Sequence, residues 1–211
     1  VWRRLSDELG LLGLIIPEQY GGSGFGMMEM GIAMEEMGRA LYCGPYFSSA
    51  MMAAKAIELM ASEEQKTGWL PDIATGKLIA ALAVAESSES DLIDSVQTAV
   101  STAGGYHLTG RKKYVVSGCQ ADLLLVVARQ PGTTGLAGLS LFAVSHDAQG
   151  LSKRSLSVMD RTRKQAEIEL DKTPAVLLGH YGEAGVKLQQ VLDLSAIALA
   201  NEMVGGAEKL L

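Results

Sequence analysis

The sequence has no apolar run long enough to cross a bilayer. Its longest uninterrupted stretches, such as Leu123 to Ala128, match a buried strand instead. No basic-then-apolar leader opens the chain, which begins at Val1 and not at Met, so a start further upstream is expected. Cysteine is scarce. Cys43 and Cys119 are far apart, match no metal-ligand spacing, and read as free, buried thiols of a cytoplasmic protein. His107, His146 and His180 stand singly, with no ligand pair among them, so no metal site is expected. Positive charge is also short. The net charge is -6, and the densest basic cluster, Lys153 to Lys164, is interrupted by Asp160. Without a basic stripe, a nucleic-acid partner is not expected. Internal repeats and low-complexity tracts are absent.

What the chain does have is a sizeable apolar fraction, 48% of 211 residues, enough to bury a real core. Its periodicity changes twice. Trp2, Leu5, Leu9 and Leu12 recur at helical spacing, and Pro17 with Gly21-Gly22 breaks the pattern. Met30, Met34, Met37 and Leu41 form a second stripe. Pro45 opens a third helical segment with Met52, Ala56 and Met60. Ser62 and Gln65 fit a capping box ahead of Trp69, Leu70 and Ile73, where Pro71 is expected to distort the helix. From Lys77 the period shortens. Leu78 to Val84, Val96 to Val100, Tyr106 to Thr109, Tyr114 to Ser117, Leu123 to Ala128, Leu139 to Val144 and Ala166 to Leu170 are candidate strands. Gly104-Gly105 suits a two-residue hairpin turn. From Glu183 the helical period returns, with Leu188, Val191, Leu192, Ser195 and Ala198 on one face. The expectation is an α+β chain: an N-terminal helical domain over 1–76, an antiparallel β-barrel or sandwich over 77–182, and the first helix of a C-terminal helical bundle over 183–211. The last helix is expected to expose its apolar face unless another subunit or domain covers it.

Three local patterns carry possible chemistry. Gly22-Ser23-Gly24-Phe25-Gly26 lacks the lysine of a phosphate loop and the strand that should precede a dinucleotide loop, so it reads as a turn. Phe25 stands where a nucleophile elbow around Ser23 would need glycine. Glu86, Glu89, Asp91 and Asp94 form an acidic cluster that reads as a solvated loop. Ser87, Ser88 and Ser90 within it could donate to a phosphate.

The order of segments resembles one family. ELGLLGLIIPEQYGGSG at 8–24, MEEMGRAL at 34–41, ALAVAESSESD at 81–91, GRKKYVVSG at 110–118 and ADLLLVVAR at 121–129 are similar, in that order, to the signatures of the acyl-CoA dehydrogenases. The resemblance covers nearly the whole chain. It implies a flavoprotein of lipid metabolism and fatty acid β-oxidation. Such an enzyme uses FAD to convert an acyl-CoA thioester to a 2-enoyl-CoA, passing electrons to an electron-transferring flavoprotein. It also implies a homo- or hetero-oligomer. Carried over residue by residue, Leu82, Val84 and Ala85 occupy the strand that hydrogen-bonds the flavin ring, and Ser90 falls at the serine that contacts the cofactor phosphates. Tyr114 takes the place of a stacking tryptophan, and Val115, Val116 and Ser117 line the same edge. The sequence departs from the family at three points. Ala85 and Val116 each replace threonine, and the loop from Glu86 to Asp91 is a residue short and lacks its glycine. Each lost hydrogen bond weakens flavin binding by about 1 kcal/mol. The family's catalytic base lies in the C-terminal helical domain, and no acidic residue here matches its motif. No catalytic residue is therefore assigned, and the chain alone is expected to be inactive and to retain flavin poorly. Two alternatives stay open: a non-catalytic partner subunit of a hetero-oligomer, and an oxidase or monooxygenase on the same fold.

Overall fold

A computed structural model of the chain describes residues 1–87, 92–102 and 104–211. Helices come first: α1 (Trp2–Asp7), α2 (Met27–Arg39), a π-helix at Tyr46–Ala53, α3 (Ala54–Met60) and α4 (Glu63–Ala74). Strands follow: β1 (Ala80–Ala83), β2 (Ala99–Ser101), β3 (Tyr106–Val116), β4 (Leu123–Arg129), β5 (Leu139–Ser145), β6 (Leu151–Ser155) and β7 (Gln165–Leu178). The last element is helix α5 (Gly185–Leu210). This is the helix, strand, helix order that the periodicity predicts. The strands run β1-β4-β5-β7-β3-β2 across the sheet, with β6 also paired to β7.

The sheet is mixed, not wholly antiparallel. β1 pairs β4 in parallel register, Ala80 opposite Leu123 through Ala83 opposite Val126, whereas the β4–β5, β5–β7, β7–β3, β3–β2 and β6–β7 pairings are antiparallel. Alternation identified strands but could not orient them. The candidate strands at Tyr106 and Tyr114 merge into β3. β6 runs into the basic stretch, where Lys153 and Arg154 hide the period. Gly104 and Gly105 do take positive φ, 74° and 119°, but the connection between Ser101 and Tyr106 is longer than a two-residue turn.

The apolar runs of β1 and β4, and that of β5 apart from the buried Ser140, follow from burial on both faces. Leu123, Leu125 and Val127 pack with Leu82, Leu141, Ile57, Ile73 and Leu188 on the helical side. Leu124, Val126 and Ala128 pack with Phe142, Val144, Leu108 and Ile168 on the other. A third cluster joins Leu12, Met30, Met34, Tyr46 and Met51 to Ala198 of α5. The Met stripe is therefore core, as ordinary packing predicts, apart from Leu41 at its end, which is exposed with φ 47°.

Two expectations about exposure are corrected. Leu188, Val191 and Ala198 of α5 are fully buried within this chain, against β5, α3 and α2. The helix already has a partner for that face. Cys43 and Cys119 are free but exposed, not buried. Leu9 is also exposed, because α1 stops at Asp7 and Gly10 turns left-handed with φ 62°. The capping box at α4 forms as predicted. The Ser62 amide donates to Gln65 Oε1 at 2.9 Å, and the Gln65 amide donates to Ser62 Oγ at 3.3 Å.

The glycines of α2 and α5 explain how closely these helices cross. A Cβ on Gly38 would sit 1.9 Å from the Glu202 carbonyl oxygen, and one on Gly205 would sit 1.8 Å from that of Glu35. Only hydrogen lets the backbones meet at both points. Close contact seats α5 against the helical layer and carries Leu192 to the cleft described next.

Candidate functional site

The π-helix, the end of β1, the C-terminal half of β3 and α5 converge on a cleft of about 400 Å³. Its walls are mainly apolar: Met52, Leu82, Val84, Ala85, Leu92, Val115, Val116 and Leu192. Ser48, Ser87, Lys113 and Tyr114 supply the polar atoms. The wide π turn places Ser48 and Met52 on the same wall. Such π segments recur at functional sites because they re-aim side chains without ending the helix. Ser49, one residue on, accepts the Ala80 amide at 3.1 Å and ties this helix to β1.

A β-bulge shapes the opposite wall. β3 and β7 shift register between Lys112 and Val115. Lys112 faces Ile168 and Val115 faces Ala166, so β3 holds one extra residue. Lys112 and Val115 are both buried despite their odd spacing, which a regular strand forbids. Tyr114 absorbs the bulge with φ 56° and is left 43% exposed at the cleft edge. Holding a non-glycine residue in this conformation costs about 1–2 kcal/mol. The Lys113 amide crosses to the Ala85 carbonyl oxygen at 2.8 Å and closes the cleft floor.

Of the eight residues singled out in the sequence, six come together here: Leu82, Val84, Ala85, Tyr114, Val115 and Val116. Ser117 does not. It is buried with φ 57°, its amide donates to the Lys164 carbonyl oxygen at 2.9 Å, and its side chain lines a neighbouring recess with Cys43 and Arg163. Ser90 lies outside the described residues, as do Ser88, Glu89 and Asp91.

Glu86 is not the solvated acid that its cluster suggests. Its carboxylate accepts from Lys112 Nζ at 2.6 Å, from the Thr98 hydroxyl at 2.6 Å, and from the Gln97 and Thr98 amides at 2.9 Å each. Burial raises this carboxyl, but Lys112 and the other donors outweigh it and hold the group below the usual carboxylate range. Lys112 is fully buried and also donates to the Val84 carbonyl oxygen at 3.0 Å. Burial pushes its ammonium down to about 8, against the pull of Glu86. Lys112 is the residue that sequence reasoning missed. It stands in the stretch GRKKYVVSG at 110–118, where the sequence assigned it no role. Asp94, another member of the acidic cluster, accepts the Gly135 amide at 3.0 Å.

The glycine-rich segment after Pro17 is a turn, as expected. The amides of Ser23, Gly24 and Phe25 donate to the carbonyl oxygens of Gly13, Ile16 and Leu14 at 2.9–3.0 Å, so these donors are not available to a phosphate. Among the described residues no cluster of three metal-ligating side chains occurs, and no helix is long and apolar enough to cross a membrane.

Comparison with known proteins bears on this arrangement. The family profile for the acyl-CoA dehydrogenase N-terminal domain matches residues 1–77, and that for the acyl-CoA dehydrogenase middle domain matches residues 81–173. A probable acyl-CoA dehydrogenase of Bacillus subtilis is 30% identical over 98% of this chain and 36% of its own length. The mitochondrial isovaleryl-CoA dehydrogenase of Pongo abelii is 31% identical over 97% of this chain and 50% of its own. The chain therefore spans half or less of these curated relatives. A crystal structure of an FAD-dependent dehydrogenase superposes with a TM-score of 0.87 at 28% identity, over 99% of this chain and 59% of that one.

Proposed function

The chain belongs to the acyl-CoA dehydrogenase family, and on that premise we propose that its cleft forms part of an FAD site serving the α,β-dehydrogenation of an acyl-CoA thioester. The observation that carries the reading is the composition of the cleft. Apolar side chains from β1, β3 and α5 line the cleft together with Val84 and Ala85, and a tyrosine is held at its rim. A flat, largely apolar ring with polar edges fits such walls. Leu82, Val84 and Ala85 would take one edge, and Tyr114, Val115 and Val116 the other. Ser117 and Ser90 are proposed as further contacts on the strength of the resemblance. When bound, the flavin supplies the hydride acceptor for oxidation of a CH–CH bond. What this chain contributes is enclosure and orientation. Met52 and Leu192 exclude water from the cleft, and Tyr114 caps its rim.

The general base is proposed to lie outside residues 1–211. No carboxylate lines the cleft among the described residues. Glu86, the nearest acid in sequence, is fully engaged with Lys112, Thr98 and Gln97. The organisation into 1–76, 77–182 and 183–211, the 2-enoyl-CoA product, transfer of electrons to an electron-transferring flavoprotein, and oligomerisation belong to the same proposal.

The test separates binding from turnover. FAD titrated into the isolated chain should bind weakly in the cleft, and Val84→Trp should abolish that binding. Acyl-CoA-dependent reduction of an artificial acceptor should stay at background, because removing a general base costs at least about 10²-fold in rate. Robust turnover by these 211 residues alone would overturn the placement of the base.

A further inference from the structure

The cleft wall is built from segments with few regular ladder bonds of their own. β1 ends at Ala83, before Val84 and Ala85, and β2 begins at Ala99, after Leu92. Two buried charges join these segments to the sheet. Lys112 Nζ holds the Val84 carbonyl oxygen at 3.0 Å and Glu86 at 2.6 Å. Glu86 in turn holds the amides of Gln97 and Thr98 at 2.9 Å. Arg129, at the end of β4, donates to the carbonyl oxygens of Val96 at 2.9 Å and Ile93 at 2.7 Å. It also reaches those of Gly135 at 2.9 Å and Ala137 at 3.0 Å. A carboxylate that accepts four hydrogen bonds from two other chain segments, Gln97–Thr98 and Lys112, is over-determined in position, and each charge-assisted bond is stronger than a neutral one.

We infer that Glu86 is a positioning residue for the cleft: braced by Lys112, it sets where the Val84–Ala85 backbone and the Leu92–Thr98 segment stand relative to each other. The inference deepens the flavin reading and rests on it for the identity of the ligand, but not for the strut itself. The apolar wall residues contact the ligand, while the strut, one layer behind, decides whether they stand at the right separation. A hydrophobic pair of equal volume would fill the same space without directing the backbone, since it offers no donors or acceptors to Val84, Gln97 or Thr98.

The test uses the full chain with Glu86→Gln and with the double substitution Glu86→Gln, Lys112→Met. The double variant removes the charges while keeping the volume, so that no unpaired ammonium is left buried. Native-state hydrogen exchange is read at the amides of Lys113 and Gly135, whose partners are Ala85 and Asp94, and at Val191 in α5 as a control. FAD affinity is read by titration. In the double variant, exchange at Lys113 and Gly135 should rise about tenfold, with Val191 unchanged, and the FAD dissociation constant should rise about tenfold. Glu86→Asp, which keeps the charge and shortens the reach, should shift the same two amides by less. Wild-type exchange rates at both amides in the double variant would overturn the strut. Faster exchange with unchanged FAD affinity would overturn its role in positioning the cleft. Failure of the wild-type chain to bind FAD would instead overturn the flavin reading, and the exchange rates would still decide the strut.

Discussion

Arg39 and Lys112 both face carboxylates, yet the two clusters act differently. Arg39 lies on α2 with Glu35 at 2.9 Å, Glu36 at 3.2 Å and Glu208 of α5 at 2.6 Å, and roughly a third of its side chain is open to water. Glu36, among its partners, is 64% exposed. Water and salt can replace any of these contacts, so the cluster decorates a helix crossing that the glycines have already made possible. Lys112 has no exposed surface, and Glu86 retains only 13%. The ammonium has no path to water without moving the backbone, so it depends on Glu86 and on the fixed carbonyl group beside it, while the carboxylate is held by four donors with little room for solvent. The same chemistry is nearly dispensable at one place and structural at the other because solvent competes only at the first.

The largest break in this comparison comes from removing one buried partner. Glu86→Gln leaves the Lys112 ammonium buried without its counter-ion and should lower stability by about 3–5 kcal/mol, read from the urea midpoint. Adding Lys112→Met should recover most of that loss, because the desolvation penalty disappears along with the pair. If the single and double variants unfold at the same urea concentration, the pair does not depend on mutual charge.

A smaller effect tests the helix crossing. Gly38→Ala places a methyl carbon against the Glu202 carbonyl oxygen and should cost about 1–3 kcal/mol, although it removes no charge. Arg39→Gln removes the centre of the exposed cluster and should cost less than Gly38→Ala, by an amount that fades as salt is added. The reverse order would mean that charge holds α2 to α5.

The pH dependence gives the finest distinction. Glu86 and Asp160 are held below the usual carboxylate range, Glu86 as described and Asp160 by hydrogen bonds from the Thr162 hydroxyl and amide. Groups lowered in the folded state contribute stability that is present above their unfolded pKa and lost as pH falls through the folded one. Stability should therefore decline below about pH 4.5, and Glu86→Gln, Lys112→Met should flatten that decline. Lys112 has the opposite sign. Its folded value of about 8 lies below its unfolded value of 10.5, so the unfolded chain binds more protons between the two. Stability should rise with pH through that window in the wild type, and the double variant should lack this rise. Thermal melts across both windows check the two signs.

Legibility followed local pattern. The capping box at Ser62, the Met stripe of α2 and the alternation in β7 were readable because each depends on residues within a few positions of one another. Six of the eight residues that the resemblance singled out line the cleft, in two short stretches, 82–85 and 114–116; the resemblance, not the local period, marked them. Ser117 lies beside a neighbouring recess and not in the cleft, because the chain turns left-handed there. Lys112 was missed because its counter-charge, Glu86, is distant in sequence; the residue shares the inward face of Leu108 by ordinary alternation, but only the fold brings the carboxylate to it.

By itself, then, the sequence determined the order of helical and strand segments, through periods of about 3.6 and 2, while the resemblance pointed to the end of β1 and to β3 as flavin-facing. Only the tertiary structure decided the rest. It paired β1 parallel to β4, buried the apolar face of α5 against this chain's own helices and sheet, and set Glu86 and Lys112 together although they stand 26 positions apart in sequence. Orientation, partner and charge pairing are properties of residues that meet in space, and a one-dimensional pattern does not carry the distance between them. Burial then converts that meeting into energy, because a charge removed from water must find its counter-charge where the fold puts it.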